Sequence, residues 1–350
     1  MRVAVVGGGV VGLLTAVYLA REGHEALIVE ESPKDRRSAS YSNAGVLHLI
    51  QPPPGRMRRR LAPRGARLMA RLADRLGIET VRTRLIIAYT RRPALPVLAA
   101  ARAALKLLQP GVRARIAGAR ELRGLEPLLS REVRGGLLVE GYRVVDPRLL
   151  MDRLWEEALS GGAVLVQGRA VRVDCSGLVE LQGGETVRAD AVLNAAGPGA
   201  ERLARPLGIE VRTRRILGVM ELYPKPRPGS IVARLPLRLR AETKGGAIIP
   251  WPGGRTLYGP SFHPDNRAPP LGWVASLYRG LLEEEPSGRP ERIMGYRTVA
   301  SPRDFHVIRP PGCPGTVHLL GIESPGFTAA PLLAWEALRL LGAVRGEPSI

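Results

Sequence analysis

The chain has 350 residues, 45% of them hydrophobic, and its 52 basic and 32 acidic residues give a formal net charge of +20. The hydrophobic content excludes a disordered chain, the length favours two domains, and charged residues interrupt every apolar run before it could span a bilayer. Nearly all the basic residues are arginines, spread along the chain without the aromatic-interleaved blocks of a nucleic-acid-binding protein. We therefore expect no nucleic-acid partner, and we expect the positive field to attract small anionic substrates.

Two features bear on the compartment. The N-terminus runs from Met1 directly into a strand pattern, without the apolar core of a secretory signal. Cys175 and Cys313 are far apart in sequence and have neither a metal-binding nor a redox spacing. These observations predict a reducing, cytoplasmic setting, with peripheral contact at the inner face of a membrane at most. The scarcity of asparagine and glutamine is typical of a thermophilic protein.

The first 30 residues predict a strand, a glycine turn, a helix and a second strand. Residues 2–6 and 26–30 are short apolar runs typical of buried parallel strands, and residues 10–21 have helical periodicity. Between the first strand and the helix, residues 7–12 read Gly-Gly-Gly-Val-Val-Gly, which satisfies G-x-G-x-x-G in the context that a dinucleotide-binding turn requires. These glycines would let a pyrophosphate approach the helix N-terminus.

An acidic residue closes the second strand. Glu30 lies 18 residues beyond Gly12, where a carboxylate would accept hydrogen bonds from an adenosine ribose. A carboxylate there argues against a 2′-phosphate and hence against NADP. The turn and the acid together predict an adenine dinucleotide, and they leave NAD and FAD open.

The rest of the chain alternates between parallel-strand, helix and antiparallel signals. In chain order the pattern predicts a polar loop at 32–55, a basic helix at 56–76, a strand at 84–89, helices at 96–108 and 147–159, strands at 163–167 and 170–173, a meander through 178–181 and 186–188, a buried strand at 191–195, mostly antiparallel sheet from 210 to 300, a strand at 316–320 and a helix at 328–341. Parallel-strand signals at both ends and in the middle indicate a discontinuous architecture. We expect one α/β domain from residues 1–80, 144–210 and 298–350, and a second, mainly antiparallel domain from residues 81–143 and 211–297.

Short motifs follow one another along the chain. After Arg37 it reads Ser-Ala-Ser-Tyr-Ser-Asn-Ala-Gly-Val-Leu-His and then Pro-Pro-Pro-Gly; later segments are Leu-Glu-Pro-Leu at 125–128, Val-Val-Asp-Pro at 144–147, Val-Leu-Asn-Ala-Ala-Gly at 192–197, Gly-Tyr-Arg at 295–297 with Asp-Phe at 304–305, and Gly-Ile-Glu-Ser-Pro-Gly-Phe-Thr at 321–328. Together and in this order they resemble the D-amino-acid-oxidase-like superfamily of FAD-dependent oxidoreductases over nearly the whole chain. The motifs look most like its glycerol-3-phosphate dehydrogenase and L-2-hydroxyglutarate dehydrogenase branches.

This resemblance implies FAD as the cofactor. It also implies a glutathione-reductase-type FAD-binding Rossmann domain, with the antiparallel domain lying over the isoalloxazine ring as the substrate domain. Carried over onto the matching motifs, the residues expected to bind the cofactor are Gly7, Gly9, Val10, Val11, Gly12, Glu30, Glu31, Ser42, Asn43, Ala44, Gly45, Val171, Ala195, Ala196, Gly197, Arg297, Gly321, Ser324, Pro325, Gly326, Phe327 and Thr328. We expect no metal site.

Three side chains are candidates for the catalytic chemistry. His48, which the family places near the flavin, is a candidate base or substrate donor, because an imidazole titrates near neutrality; the alternative is a loop histidine that only bonds backbone. Arg297 is a candidate anion clamp, because a guanidinium matches a carboxylate or phosphate bidentately. Tyr258 lies in a Gly-Pro-Ser segment that resembles one on the family's substrate sheet, and His263 in the same segment is expected to be structural.

The resemblance implies oxidation of a C–H bond beside a hydroxyl or an amine. We expect hydride transfer from a small anionic hydroxy compound, glycerol 3-phosphate or a 2-hydroxy acid, to flavin N5, with a quinone or oxygen as the electron acceptor. The alternatives are a D-amino-acid dehydrogenase or glycine or secondary-amine oxidase of the same superfamily, and a non-catalytic FAD- or nucleic-acid-binding protein. A homo-oligomer is compatible with these readings. The basic helix at 56–76 is expected to present a solvated arginine face rather than a membrane-binding one.

Overall fold

The computed structural model describes residues 1–51, 55–90, 95–109, 111–235 and 246–348. The strands are β1 (Arg2–Val6), β2 (Glu25–Glu30), β3 (Val46–Leu47), β4 (Thr80–Tyr89), β5 (Ala114–Gly118), β6 (Gly135–Val145), β7 (Val164–Gln167), β8 (Ala170–Val173), β9 (Leu178–Leu181), β10 (Thr186–Arg188), β11 (Ala191–Asn194), β12 (Arg212–Tyr223), β13 (Ile231–Arg234), β14 (Ala247–Trp251), β15 (Arg255–His263), β16 (Glu291–Ser301), β17 (His306–Ile308) and β18 (Thr316–Leu320). The helices are α1 (Val10–Arg21), α2 (Arg56–Arg75), α3 (Leu95–Leu108), α4 (Ala119–Leu125), α5 (Pro147–Ser160), α6 (Ala200–Ala204), α7 (Trp273–Ser276) and α8 (Gly326–Leu340). The three prolines of the predicted Pro-Pro-Pro-Gly motif, at 52–54, lie outside the described residues, as do residues 236–245 of the predicted antiparallel region.

A six-stranded sheet in the order β17-β18-β11-β1-β2-β7 forms the first layer, and all its pairings are parallel except that of β17 with β18. Because successive side chains of a strand point to opposite faces, β1 divides its apolar run between two cores. Val3 and Val5 pack with α1, α2, α5 and α8, while Ala4 and Val6 pack with β8, β9 and α6 on the other side. The predicted continuous apolar run is therefore explained by burial on both faces.

A second sheet of nine strands follows the order β16-β12-β15-β14-β13-β4-β6-β3, with β5 added beside β6. Its pairings are antiparallel apart from that of β13 with β4. One face packs under α4, α7 and the segment that follows α7, and the other packs against residues 44–50 and α3. This mixed architecture confirms the predicted fold class, a Rossmann-type α/β unit joined to a mainly antiparallel sheet.

The strand boundaries depart from the prediction mainly around β6. No strand was predicted between residues 109 and 146, yet β5 and the eleven-residue β6 lie there. Gly135 and Gly141 of β6 have φ values of 158° and 88°, and glycines of this kind interrupt the alternating pattern by which a strand is recognised. β4 also begins at Thr80 instead of residue 84, and β16 runs without interruption across the predicted domain boundary at 297/298. The domain limits themselves stay a prediction.

The two cysteines form a disulfide, which the sequence analysis did not foresee. Cys175 in the β8–β9 turn joins Cys313 in the loop before β18, with Cα atoms 4.8 Å apart and 138 residues between them in sequence. A hydrogen bond from Thr316 Oγ1 to the Asp174 carbonyl oxygen, 3.0 Å, lies beside it. Spacing rules miss such a pair because sheet order, not sequence, brings the cysteines together. The reducing setting expected from the cysteines therefore loses its basis, and the bond itself does not decide the compartment, since intracellular proteins of hyperthermophiles also carry disulfides.

In the part of the chain that the structure describes, no helix is at once long enough and apolar enough to cross a membrane. The same described ranges contain no cluster of three histidine, cysteine or acidic side chains placed to hold a metal ion.

Candidate active site

The turn between β1 and α1 is shaped by glycines that no other residue could replace. Gly7 has φ of 110°, and a Cβ there would lie 2.5 Å from the carbonyl oxygen of Ala195. A Cβ on Gly12 would collide with the carbonyl oxygen of Gly7. Helix α1 begins directly after Gly9, and the first residues of the helix, Val10 and Val11, are buried. The predicted glycine motif therefore forms the tight strand-to-helix turn expected of it.

Two polar side chains fix this turn. Glu30 at the end of β2 accepts hydrogen bonds from the backbone N–H of Gly8, 2.6 Å, and of Ser32, 2.8 Å. Ser40 Oγ accepts from the N–H of Val10, 2.9 Å. Both oxygens thus lie against N–H groups at the N-terminus of α1, where the helix dipole favours negative charge. Glu31, next in sequence, points outward and pairs with Arg169 at 3.8 Å.

The end of β11 lies against the same turn. β1 and β11 pair in parallel, and the Ala195 N–H donates to the carbonyl oxygen of Val6 at 2.8 Å. Ala195, Ala196 and Gly197 therefore leave the sheet beside Gly7. The Gly168 N–H donates to the Glu30 carbonyl oxygen at 3.0 Å, and β8, which carries Val171, begins two residues later. We call this group, from the glycine turn to Gly197, the dinucleotide end of the site.

Asn194, which closes β11, supports the dinucleotide end from below. Its side-chain amide donates to the Ala200 carbonyl oxygen, 2.8 Å, and contacts Nδ1 of the buried His318 at 2.8 Å, so Nδ1 is an acceptor and the imidazole carries its proton on Nε2. Burial lowers the pKa of His318 from 6.5 to about 4. A neutral, buried imidazole in contact with Asn194 has a structural role.

The serine-rich segment before His48 is held by its own side chains. Asn43 Nδ2 donates to the Ser40 carbonyl oxygen, 2.8 Å, and Asn43 Oδ1 accepts from the Gly45 N–H, 2.8 Å. Gly45 has φ of 61°, and a Cβ there would collide with the carbonyl oxygen of Val145. Ser42 Oγ donates to the Ser38 carbonyl oxygen at 2.7 Å. The Asn and Gly of this motif thus set a turn that leads, through the half-buried Ala44, into β3 and its pairing with β6.

His48 follows β3 and meets the start of α8. The His48 N–H donates to Thr328 Oγ1, 3.1 Å, and this hydroxyl donates in turn to the Val46 carbonyl oxygen, 3.1 Å. His48 is half-buried. Thr328 lies in the first turn of α8, so the segment Gly321–Thr328 and the segment ending in His48 come together although nearly 280 residues separate them. The role predicted for His48 as a base or substrate donor near the flavin stays a prediction.

Three arginines surround one buried carboxylate at the other side of the closing motif. Arg303 contacts Glu323 through two bonds, Nε to Oε1 at 2.6 Å and Nη2 to Oε2 at 3.1 Å. Arg58 Nη1 lies 3.2 Å from Oε1, and Arg297 Nη1 lies 3.5 Å from Oε2. Glu323 and Arg58 are almost fully buried. We call this cluster, together with His48 and residues 321–328, the ring end of the site.

Arg297, on β16, is one of the three arginines that contact Glu323 at the ring end. Its Cζ lies 3.6 Å from the centre of the Phe262 ring, a cation–π geometry. Burial lowers the pKa of Arg297 to about 10, and the carboxylate of Glu323 opposes that shift. The group stays charged at neutral pH, so the ring end carries an excess of positive charge that would attract an anion.

Asp304 explains how Arg58 reaches the cluster. Its carboxylate accepts from the N–H of Met57, 2.9 Å, and of Arg58, 3.1 Å, at the start of α2. Arg58 Nη2 then donates to the Ser324 carbonyl oxygen at 2.9 Å. Sequence reasoning named Asp304 only as part of a motif and missed Arg58, Arg303 and Phe262. The two arginines carry no signal of their own among 48 arginines, whereas Glu323 could have been singled out as the one acid of the closing motif.

Tyr258 is not brought to this site, which corrects the prediction. It packs with Tyr223 and Tyr278, at centroid distances of 5.5 Å and 6.2 Å, in the core under α7. Tyr296 packs against the same core, so its neighbour Arg297 points to the opposite face of the sheet. Burial raises the pKa of Tyr258. The resemblance of the Gly-Pro-Ser segment correctly predicted that Tyr258 lies on the second sheet. The direction of its side chain depends on strand register, which the motif did not reveal.

The two ends together fit an elongated anionic dinucleotide. Helices α1 and α8 begin after Gly9 and Pro325, neither of which caps its helix with a side chain, and neither helix has an acidic residue in its first turn. A helix N-terminus without a side-chain cap or an acidic residue in its first turn favours the binding of phosphate or another negative group. Gly321, with φ of 67°, turns the chain from β18 into the closing motif, and a Cβ there would collide with Ala300. Glu30 and the start of α1 therefore lie at the dinucleotide end of the site, and the start of α8 and the arginine cluster lie at the ring end.

A Rossmann-type sheet, a glycine turn followed by a strand-end acid, and a second antiparallel sheet over the ring end define an FAD-dependent oxidoreductase. The chain belongs to the DAO family of FAD-dependent oxidoreductases, whose family model matches residues 2–340. The predicted family, the FAD cofactor and the assignment as an enzyme are thereby confirmed.

Relatives lie in several branches of this family. The chain is 27% identical over 370 residues to the glycerol 3-phosphate oxidase of Mycoplasma pneumoniae, covering 97% of this chain and 94% of that protein. It is 25% identical over 403 residues to the mitochondrial L-2-hydroxyglutarate dehydrogenase of Arabidopsis thaliana, covering 94% and 81%. Its fold matches L-alpha-glycerophosphate oxidase from Mycoplasma pneumoniae with FAD bound, with a TM-score of 0.84, 22% identity and coverage of 97% and 94%. It also matches glycine oxidase from Geobacillus kaustophilus, with a TM-score of 0.85, 23% identity and coverage of 99% and 96%.

Proposed function

We propose that the protein is an FAD-dependent dehydrogenase of a small anionic hydroxy compound, glycerol 3-phosphate or a 2-hydroxy acid. The observation that carries this proposal is the position of Arg297, a buried guanidinium held between the Phe262 ring and the Glu323 carboxylate at the ring end. An anion is the natural ligand of such a group, because a guanidinium offers paired donors to a carboxylate or a phosphate. The two hydroxy-compound relatives support the same substrate class.

The cofactor would be held along both ends of the site. The backbone of the glycine turn and the start of α1 would bind the pyrophosphate, Glu30 would bind the adenosine ribose, and Ala195 to Gly197 would pack against the adenosine side. The closing motif and the N-terminus of α8 would face the ring system. When bound, FAD supplies the two-electron redox chemistry and takes the substrate hydride at N5.

His48 would handle the substrate's hydroxyl proton. Its backbone is fixed to Thr328 on α8, so its imidazole is positioned from the closing motif and not by a free loop. Arg297 contacts Glu323 of the same motif. The guanidinium would hold a hydroxy acid by its anionic group while the imidazole takes the hydroxyl proton. Oxygen and a quinone are both proposed as acceptors.

An anaerobic absorbance titration of the purified holoprotein tests this proposal. Glycerol 3-phosphate, 2-hydroxyglutarate, lactate, malate, glycine, proline and D-amino acids would be added in turn while the flavin band is followed. We expect one of the hydroxy compounds to bleach it. We also expect Arg297→Met to lower kcat/KM by a factor of roughly a hundred or more, as for the loss of a buried charged contact, while Arg215→Met on the neighbouring β12 leaves it unchanged. Bleaching by none of the hydroxy compounds would contradict the proposal.

A second candidate is oxidation of an amino acid or secondary amine. It is supported by the likeness in fold to glycine oxidase and by relatives that include D-amino acid dehydrogenases, one of them 28% identical over 277 residues. An amine that reacts as the free base has no hydroxyl proton to lose, so His48→Ala would leave its turnover unchanged. Oxidation of a hydroxy compound should instead fall by a factor of roughly a hundred or more in this variant.

A further inference from the structure

A buried glutamine, Gln109, directly follows helix α3 and contacts two other segments of the chain. Gln109 and Gln51 are 5% and 4% exposed, whereas the other two glutamines of the sequence, Gln167 and Gln182, are exposed. Burying an amide costs free energy unless its donors and its acceptor find partners. The partners of Gln109 therefore show what its burial achieves.

The side-chain amide of Gln109 is bonded to main-chain atoms of both segments. Its Oε1 accepts from the Gln51 N–H at 3.2 Å, and its Nε2 donates to the Leu49 carbonyl oxygen at 3.2 Å. Nε2 also donates to the Arg59 carbonyl oxygen of α2 at 3.4 Å. Because a main-chain N–H only donates and a carbonyl oxygen only accepts, these partners determine which amide atom is the oxygen and which is the nitrogen. One side chain thus holds the segment that follows His48 and connects it to α2.

Helix α3 positions this amide from the second sheet. Leu98 is buried in the core on one face of that sheet, and Leu105 packs against the same core, so the helix is anchored at two points that are two turns apart. The Gln109 N–H donates to the Leu105 carbonyl oxygen at 2.8 Å, which continues the helical pattern. Leu49 and Ile50 pack against this core as well. The position of the Gln109 amide is therefore set by packing.

His48 is consequently held on both sides along the chain. Its own N–H donates to Thr328 Oγ1 on α8, and the carbonyl oxygen of the next residue, Leu49, accepts from Gln109. These two bonds fix the main chain immediately before and after the imidazole-bearing carbon. A base removes a proton efficiently only when it is aligned with the group that carries the proton. The main chain at His48 is thus restrained in the way that such alignment requires.

We infer that Gln109 is a positioning residue, which holds His48 in place relative to the arginine cluster of the ring end. It acts through the main chain of residues 49–51. Its bond to Arg59 adds the second half of the role, because the neighbouring Arg58 contacts Glu323 in that cluster. The inference rests on the proposed function, in which the imidazole takes the hydroxyl proton of the substrate.

Gln109→Met tests this role in the purified holoprotein, because it removes the amide at nearly constant side-chain volume. Turnover is measured with a dye as electron acceptor and whichever of glycerol 3-phosphate, 2-hydroxyglutarate, lactate and malate bleaches the flavin. We expect kcat to fall by roughly tenfold or more, since a displacement of about 1 Å costs up to about a hundredfold. KM should stay within about twofold, because Arg297 still binds the anion. Gln109→Asn, one methylene too short to reach both segments, is the second variant and should lower kcat in the same way.

A double-mutant cycle with His48 separates positioning from a general loss of structure. In a His48→Ala background, Gln109→Met should lower kcat by less than about twofold, because no imidazole is left to position. A fall in kcat that is as large in this background as in the wild type overturns the inference.

Two control variants remove similar groups elsewhere. Thr256→Val removes a buried hydroxyl that donates to the Pro226 carbonyl oxygen on the same sheet. Thr256 lies about 20 Å along β15 from Phe262. Gln182→Met makes the same substitution at an exposed site. Both controls should leave kcat within about twofold of the wild-type value, and a loss in either that equals the loss in Gln109→Met overturns the inference.

Nuclear magnetic resonance of the holoprotein gives a readout that needs no substrate. The chain has five histidines, so carbon-13 labelling of the imidazoles gives few signals, and the one that is missing from His48→Ala belongs to His48. We expect Gln109→Met to shift this signal and Thr256→Val to leave it in place. If none of the hydroxy compounds bleaches the flavin, the proposed function fails while this measurement still stands. A His48 signal that does not move in Gln109→Met overturns the inference whatever the substrate is.

Discussion

The dinucleotide end and the ring end of the site are built in different ways. At the dinucleotide end, the glycine turn and Glu30 come from 24 consecutive residues, and their geometry is set by one strand–helix–strand unit. At the ring end, Arg58, Arg297, Arg303 and Glu323 come from α2, β16 and two loops spread over more than 260 residues. A local unit can be recognised from spacing, whereas a long-range cluster exists only after the two sheets have assembled. We therefore expect the dinucleotide end to be disrupted by substitutions that create backbone clashes, and the ring end by substitutions that remove a charge.

The largest expected effect breaks the dinucleotide end alone. Gly12→Val places a branched side chain against the Gly7 carbonyl oxygen and closes the turn that approaches the pyrophosphate. We expect loss of nearly all bound FAD, measured as flavin absorbance per protein after gel filtration. Gly124→Ala, where a Cβ meets open space, is the control. Normal flavin content in Gly12→Val would show that the glycine turn does not bind the cofactor.

The next effect breaks the ring end. Glu323→Gln leaves three guanidiniums, two of them buried, without their carboxylate. Breaking a buried ion pair in this way costs about 3–5 kcal/mol of unfolding free energy. We expect this loss in urea unfolding of the holoprotein, while the surface change Glu347→Gln has no measurable effect. An equal response of the two variants would mean that Glu323 does not organise the cluster.

A smaller effect is the pH dependence of stability that arises from His318, the partner of Asn194 at the dinucleotide end. The pKa of His318 falls from 6.5 to about 4 on burial, so between these values only the unfolded chain takes up the proton. Stability from this group is complete above pH 6.5 and is lost as the pH falls toward 4, by roughly 3 kcal/mol. His318→Asn keeps an acceptor for Asn194 and should flatten the decline by that amount. His306→Asn, the control, should follow the wild-type curve; a His318→Asn curve that does the same contradicts the assignment.

The smallest effect tests the link between the closing motif and His48. Thr328→Val removes the hydroxyl that accepts from the His48 N–H and donates to the Val46 carbonyl oxygen. Losing these bonds should cost about 1–2 kcal/mol of stability, and kcat/KM should fall several-fold because His48 is no longer held. Thr186→Val at an exposed site is the control. If kcat/KM stays at the wild-type value while stability drops, the link is structural only.

More of the dinucleotide end than of the ring end could be predicted from the sequence. The turn at residues 7–12 and the strand that ends at Glu30 form as the sequence pattern predicted, because each depends on neighbours within a few residues; the role of these residues in binding the cofactor stays a prediction. Arg297 was placed by its motif, but the partners that hold it were not, since Arg58 and Arg303 are indistinguishable from surface arginines until the fold is known. Tyr258 was misplaced for a related reason: a bulge in the β12–β15 pairing between Val219 and Glu221 shifts the strand register, and a one-residue shift reverses the face to which a side chain points.

The Cys175–Cys313 disulfide encloses most of the second sheet. Strands β12 to β16 all lie between the two cysteines in sequence, so the whole of this segment forms part of one closed covalent ring. A single proteolytic cut anywhere in the ring would leave the two fragments attached to each other until a reductant separates them. A nicked molecule would therefore keep both halves of its active site at an effective concentration set by the ring rather than by the solution.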